Sequence, residues 1–241
     1  MQFKNPPIVE AVIGFTIAQL PEAILEDFHR ASDRLAEMGY TEAKRRQHQN
    51  VTFSVVEGDV HTEMMQLGWQ FQSQQKPFTV QFLRTGFLFS QTGSYTSWED
   101  FTRDARDLWQ MYIDLTGLTE VQMYQVRYIN KLFIPEGVDW SEYVTVYPFL
   151  PPEIPQGVNE YFCRLVMPMK DPLGPRLVHQ QALLPPEKMG FVSFLLDNDF
   201  QFSALGIAVS ELWTKVDEVR DIKDWYFEVF TTKKSKECFD A

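Results

Sequence analysis

The chain has 241 residues, 44% hydrophobic and 23% charged, with a net charge of −11. That length can bury one large core or two small ones. An acidic chain with no large basic stripe is poorly suited to wrapping nucleic acid, where phosphate neutralisation dominates affinity. The charge suits docking on a basic protein partner instead.

The opening, MQFKNPPIVEA, lacks a basic segment followed by an apolar run, and no apolar stretch is long enough to span a bilayer. No membrane contact and a cytoplasmic location are expected. Cys163 and Cys238 are far apart without CxxC spacing, so two reduced thiols are expected.

Residues 8–17 alternate apolar and polar, which predicts a first strand. Pro21 then suits the first turn of a helix. Ile24, Phe28, Ala31, Leu35 and Met38 form its stripe, and Gly39 ends it. Residues 47–57, 65–72, 78–83 and 87–91 read as an antiparallel meander, with a turn at Gly58-Asp59. Ser97, with Asp100 three residues on, marks a helix start. Trp98, Phe101, Ala105, Leu108, Tyr112 and Leu115 follow as a core-facing stripe, closed by Gly117.

The midpoint, VQMYQVRYINKLFIP over residues 121–135, alternates cleanly and predicts a long strand. A short helix is expected over 139–144. A Pro-rich loop containing Pro151, Pro152 and Pro155 follows over 147–157. Residues 161–167, 176–184 and 191–196 read as strands, and 197–202 as a polar turn. A long helix follows over about 210–230, on Leu212, Val216, Val219, Ile222, Tyr226 and Val229. Thr231-Thr232 interrupts it before a last short helical segment.

The order of elements repeats. This predicts an α+β fold of two β-α-β-meander-α halves, 1–118 and 119–241, integrated into one domain. They would share a curved, mostly antiparallel sheet with long helices on one face. That arrangement is shared with helix-grip and TATA-binding-protein-like architectures, an analogy that carries no function.

Three stretches carry a family pattern. They are Asn5-Pro6-Pro7-Ile8-Val9-Glu10-Ala11, Ser94-Tyr95 with Trp98-Glu99-Asp100-Phe101, and Val126-Arg127-Tyr128-Ile129-Asn130. Together they resemble a sporadically distributed family of uncharacterised bacterial proteins of similar length. The resemblance implies a bacterial cytoplasmic origin and no particular activity. The patchy distribution is compatible with a mobile or defence-associated accessory role.

No HxH, HExxH, GxSxG or Gly-rich phosphate motif occurs, so no catalytic residue, metal or cofactor is expected. Glu10, Arg127 and Asn130 form the one polar constellation, since each interrupts an apolar strand. One reading is a recognition spot on the sheet. The favoured reading is structural, with Arg127 paired to Glu10 and Asn130 satisfying backbone. Lys44, Arg45 and Arg46 make a basic patch ahead of the second strand, open to phosphate or an acidic partner but expected to be solvated.

Three functions remain in play. The first is a non-enzymatic interaction protein, docking through the aromatic Pro-rich loop. The second is a ligand-binding or enzymatic module with a pocket between sheet and helix. The third is nucleic-acid binding through the curved sheet, which the charge disfavours. A deep enclosed pocket near Arg127 would separate the first two.

Overall fold

The computed structural model describes residues 3–53, 60–151, 153–154, 157–169 and 176–240. Nine strands form one sheet. They are β1 (Ile8–Thr16), β2 (Tyr40–Phe53), β3 (Val60–Ser73), β4 (Phe78–Leu83), β5 (Gly86–Thr92), β6 (Glu120–Pro135), β7 (Phe162–Pro168), β8 (Arg176–Leu184) and β9 (Phe191–Ala208). Their spatial order is β2-β3-β4-β5-β1-β6-β9-β8-β7, and every pairing is antiparallel. The fold is therefore α+β with a large antiparallel sheet. The turn expected at Gly58-Asp59 lies outside the described residues, as do residues 54–57 of the second expected strand and Pro152 and Pro155 of the expected loop.

The alternation seen in the sequence sorts side chains between the two sheet faces. On β1, Ala11, Ile13 and Phe15 are buried, while Val12 and Thr16 between them are half-buried. On β6 the buried set is Val121, Tyr124, Val126, Tyr128, Asn130, Leu132 and Ile134. The helices cover this face.

The first helical segment is split into α1 (Ile24–Arg30) and α2 (Ser32–Glu37), with Ala31 between them. Phe28, Ala31 and Leu35 are buried as expected, but Met38 is exposed. The helix ends before Met38 can turn inward, because Gly39 (φ 90°) takes the left-handed conformation that stops it.

Helix α3 (Trp98–Thr116) has the expected ends. Ser97 Oγ accepts the Asp100 N–H at 3.0 Å, and Gly117 (φ 64°) closes the last turn. Its buried stripe packs on an aromatic bed. Trp109 meets Phe15 edge-on at 4.6 Å and Phe87 at 5.4 Å between ring centroids. Tyr112 stacks on Phe28 and donates its hydroxyl to the Leu83 carbonyl at 2.7 Å. Phe101 touches Phe78, Phe89 and Tyr95.

Helix α4 (Val209–Phe230) buries Leu212, Val216, Val219 and Phe230, whereas Val229 is exposed. The inward stripe runs through Lys223 and Phe227 instead of drifting to Val229. Thr231, extended and bridged to Val144, leads to α5 (Lys233–Asp240), whose Phe239 joins Leu132, Ile134, Tyr143, Val144 and Phe194 in a smaller core. A 3-10 turn at Trp140–Glu142 stands where a short helix was expected.

Two strand assignments differ from expectation. Residues 197–202 are not a turn but the middle of β9. Asp and Asn are poor strand formers, yet here each has a partner. Asp197 bonds Arg127 and Gln180, Asn198 bonds His179, and Asp199 bonds Gln201. Tertiary pairing overrides the local preference. Lys44, Arg45 and Arg46 lie inside β2, not ahead of it, opposite Gln70, Trp69 and Gly68. Because β2 is an edge strand, exposed Lys and Arg there discourage pairing with other chains.

Phe101 is fully buried among these rings. Phe101→Ala is expected to cost roughly 3–5 kcal/mol, the range for truncating a core aromatic. Urea melts check this, and a change below about 1 kcal/mol contradicts the packing described.

Candidate functional site: a cavity between sheet and helices

A cavity of about 550 Å³ lies between the middle of the sheet and the helices above it. Tyr128 and Asn130 of β6, with Asn198 and Phe200 of β9, form its floor. The start of α3 supplies one wall through Ser97, Trp98 and Glu99, preceded by Tyr95 and Thr96. Arg220, Lys223, Asp224 and Phe227 of α4 supply another. The segment leading into β1, with Phe3, Lys4, Pro6, Pro7 and Ile8, closes the remaining side. This segment is tied down by Asn5 N–H to Phe239 O at 2.9 Å and by Lys131 N–H to Pro7 O at 2.9 Å.

The floor is polar where the sheet pattern calls for apolar groups. Asn130 and Asn198 are each 2% exposed. Asn198 Oδ1 lies 2.6 Å from His179 Nδ1. An amide oxygen can only accept, so His179 donates from Nδ1. His179 is fully buried and stacks on Phe230 at 3.8 Å, and burial holds its pKa below the ordinary value. It is therefore a neutral ring that fixes Asn198, leaving the amide N–H groups of Asn198 turned away from it. Asn130 Nδ2 reaches the Leu196 carbonyl at 3.5 Å, which leaves Asn130 Oδ1 free. Among the described residues, no group bonds Asn130 Oδ1 or Asn198 Nδ2.

The walls carry paired charges. Lys223 sits on the inward stripe of α4, with its ammonium 4.6 Å from the centre of the Tyr128 ring. Burial lowers its pKa, opposed by Asp224, whose carboxylate is 2.5 Å away. Burial pushes Asp224 the other way, yet the Lys223 charge and hydrogen bond help to hold its carboxyl below the usual range. Arg220 pairs with Glu99 at 2.7 Å, linking α4 to the first turn of α3. The hydroxyls of Tyr95 and Tyr128 are 3.0 Å apart. Burial raises both, Tyr95 to about 12, so both stay protonated at neutral pH. The cavity thus presents aromatic surface, two neutral hydroxyls, two fixed amides, three cations (Lys4, Arg220, Lys223) and two carboxylates (Glu99, Asp224).

Only one of the residues singled out from the sequence belongs to the cavity. Asn130 lines it. Arg127 and Glu10 point from the opposite sheet face. Arg127 is not paired with Glu10 as expected. It grips Asp197 in bidentate fashion, Nε to Oδ1 at 2.8 Å and Nη2 to Oδ2 at 2.6 Å. The two opening strands are neighbours, but Glu10 stands opposite Ile129, and Val12 stands opposite Arg127. The carboxylate of Asp197 comes from the other side of β6, and the planar guanidinium matches it. The basic patch is also remote from the cavity: Lys44 pairs with Glu42 at 3.3 Å, and Arg45 lies over the Trp69 ring at 5.5 Å.

Asn198, Lys223 and Asp224 were missed. Lys223 had a signal, since it falls on the core-facing period set by Leu212, Val216 and Val219. Asn198 had one only after 197–202 is recognised as strand. The three sequence stretches at residues 5–11, 94–101 and 126–130 all contribute to this cavity, through Pro6, Pro7 and Ile8, through Tyr95, Trp98 and Glu99, and through Tyr128 and Asn130. No family model, curated protein or solved structure matches the chain. Among the described residues, no group of three or more His, Cys, Asp or Glu is placed to hold a metal ion, and no helix is long and apolar enough to cross a membrane.

The Asp197 side chain is 3% exposed and that of Arg127 is 36% exposed. Removing Arg127 leaves a buried carboxylate unpaired. The expected cost is roughly 2–3 kcal/mol, less than for a fully buried pair because solvent screens Arg127. A double-mutant cycle should show coupling between Arg127 and Asp197, with Arg127 and Glu10 close to additive. Strong coupling to Glu10 alone would contradict the pairing.

Proposed function

We propose that the protein is a small-ligand-binding module, with its ligand held between the sheet and the helices. The observation that carries this is the floor of the cavity. Two nearly fully buried amides there keep polar atoms without a partner among the described residues. Both residues line the cavity, so a ligand there can supply the missing bonds. The volume falls in the range of about 300–1,000 Å³ usual for ligand pockets, and the lining mixes aromatic rings with polar and charged groups.

We read the fold behind this site as an internal duplication with a helix-grip or TATA-binding-protein-like plan. The pairing pattern supports it. Each half opens with a strand, β1 or β6, that pairs with the last strand of the run that follows, β5 or β9. In each half a long helix, α3 or α4, follows the last strand, and α5 adds a short helix after α4. The cavity lies where those helices cross the two opening strands.

A second reading has its own observation. Tyr147, Phe149, Leu150 and Ile154 are all exposed in the loop after the 3-10 turn, Phe149 at 78%. Exposed apolar side chains grouped in one loop favour an accessory protein that docks a protein partner.

The ligand-binding reading is tested by incubating the purified protein with a bacterial small-molecule extract, washing, denaturing and identifying what is released by mass spectrometry. Asn130→Phe and Ile8→Trp, which fill the cavity from the floor and the rim, serve as references. A compound enriched on the wild-type protein and lost from either folded variant is expected. Equal release from all three proteins would overturn the reading.

A further inference from the structure

The floor of the cavity specifies more than the presence of a ligand. Asn198 is oriented by His179, so its amide N–H groups are the free ones. Asn130 is oriented by the Leu196 carbonyl, so its amide oxygen is the free one. Asn198 stands opposite Tyr128, and Asn130 is two residues further along β6 on the same face. A free donor and a free acceptor thus face one cavity from neighbouring strands, as a diagonal cross-strand pair. Their complement is a rigid edge that offers an acceptor beside a donor. Around them stand the rings of Tyr95, Trp98 and Phe227, surfaces on which a flat heterocycle stacks.

We propose that the cavity takes a nucleobase, as a free nucleoside or as its 5′-monophosphate, read on its hydrogen-bonding edge by Asn130 and Asn198. The edges of adenine, guanine, cytosine and uracil all place an acceptor next to a donor, so this pair selects the class and not the base. On the walls a monophosphate meets three cations, Lys4, Arg220 and Lys223, against two carboxylates, Glu99 and Asp224. The proposal rests on the ligand-binding reading and narrows it.

The test is calorimetric titration of the full chain with adenosine, guanosine, cytidine, uridine and their 5′-monophosphates. Indole is the control, because it is flat and aromatic but lacks the acceptor–donor edge. At least one nucleoside or monophosphate is expected to bind at one site per chain, and more tightly than indole. Asn198→Asp keeps the acceptor for His179 but replaces the free donor, and should weaken binding roughly tenfold or more. Asn130→Leu removes the free acceptor without adding charge and should weaken it similarly, so one folded variant suffices. Binding that both folded variants leave unchanged overturns the proposal, as does indole binding as well as any nucleoside. If no nucleoside or monophosphate binds while the extract experiment captures another compound, the nucleobase assignment fails and the ligand-binding reading stands. If neither experiment detects binding, both fail.

Discussion

Everything in this molecule hangs on the pairing of β1 with β6. Strand β6 bonds β1 along one edge and β9 along the other, and these two ladders join the residues before and after Leu118 into one nine-stranded sheet. Helix α3 comes from the first half and α4 from the second. They reach the same cavity only because their opening strands are adjacent. The inward face of β6 then supplies Tyr128 and Asn130 to the floor, while its outward face carries Arg127.

The two halves of the sheet support the helices differently. Under α1 and α3 the packing is dense and aromatic, built on Phe15, Phe28, Phe82, Phe87, Trp109 and Tyr112, all nearly or fully buried. Beyond β6 the buried inward face is mixed. His179, Gln181 and Asn198 lie beside Leu177, Phe194 and Phe200. Buried polar groups lower stability unless bonded, and His179 Nε2 and Gln181 Nε2 have no partner among the described residues. A well-packed half thus supports a half that gives up packing to form a cavity, the balance expected where a fold accommodates a site.

Much of this architecture was legible in the sequence because it obeys simple periods. Residues 78–83 alternate and form a strand over those bounds, and 176–184 also form a strand over the bounds expected. Ser97 and Gly117 announce α3 through capping chemistry that needs no tertiary information. What was not legible depends on partners distant in sequence. Asp197-Asn198-Asp199 reads as a turn until Arg127 and His179 are placed beside it. The partner of Arg127 was misread because adjacency of β1 and β6 was reasoned out, but the adjacency of β9 on the other edge was not. Asn130 stood out because it breaks an apolar period. Lys223 broke one too, on α4, but a lysine on a helix is easily taken for surface.

The central claim is that β1 and β6 join the halves into one cooperative unit carrying one cavity. Native-state hydrogen exchange of the β6 amides addresses it most directly, because it reports the free energy at which each amide becomes exposed. Amides of Gln125, Arg127 and Lys131, which face β1, are predicted to exchange only by global unfolding, with the same opening free energy as those in the middle of α3. Two separate classes, with the residues before Leu118 and those after it opening at different free energies and the β1–β6 amides exchanging with the weaker class, would contradict the account.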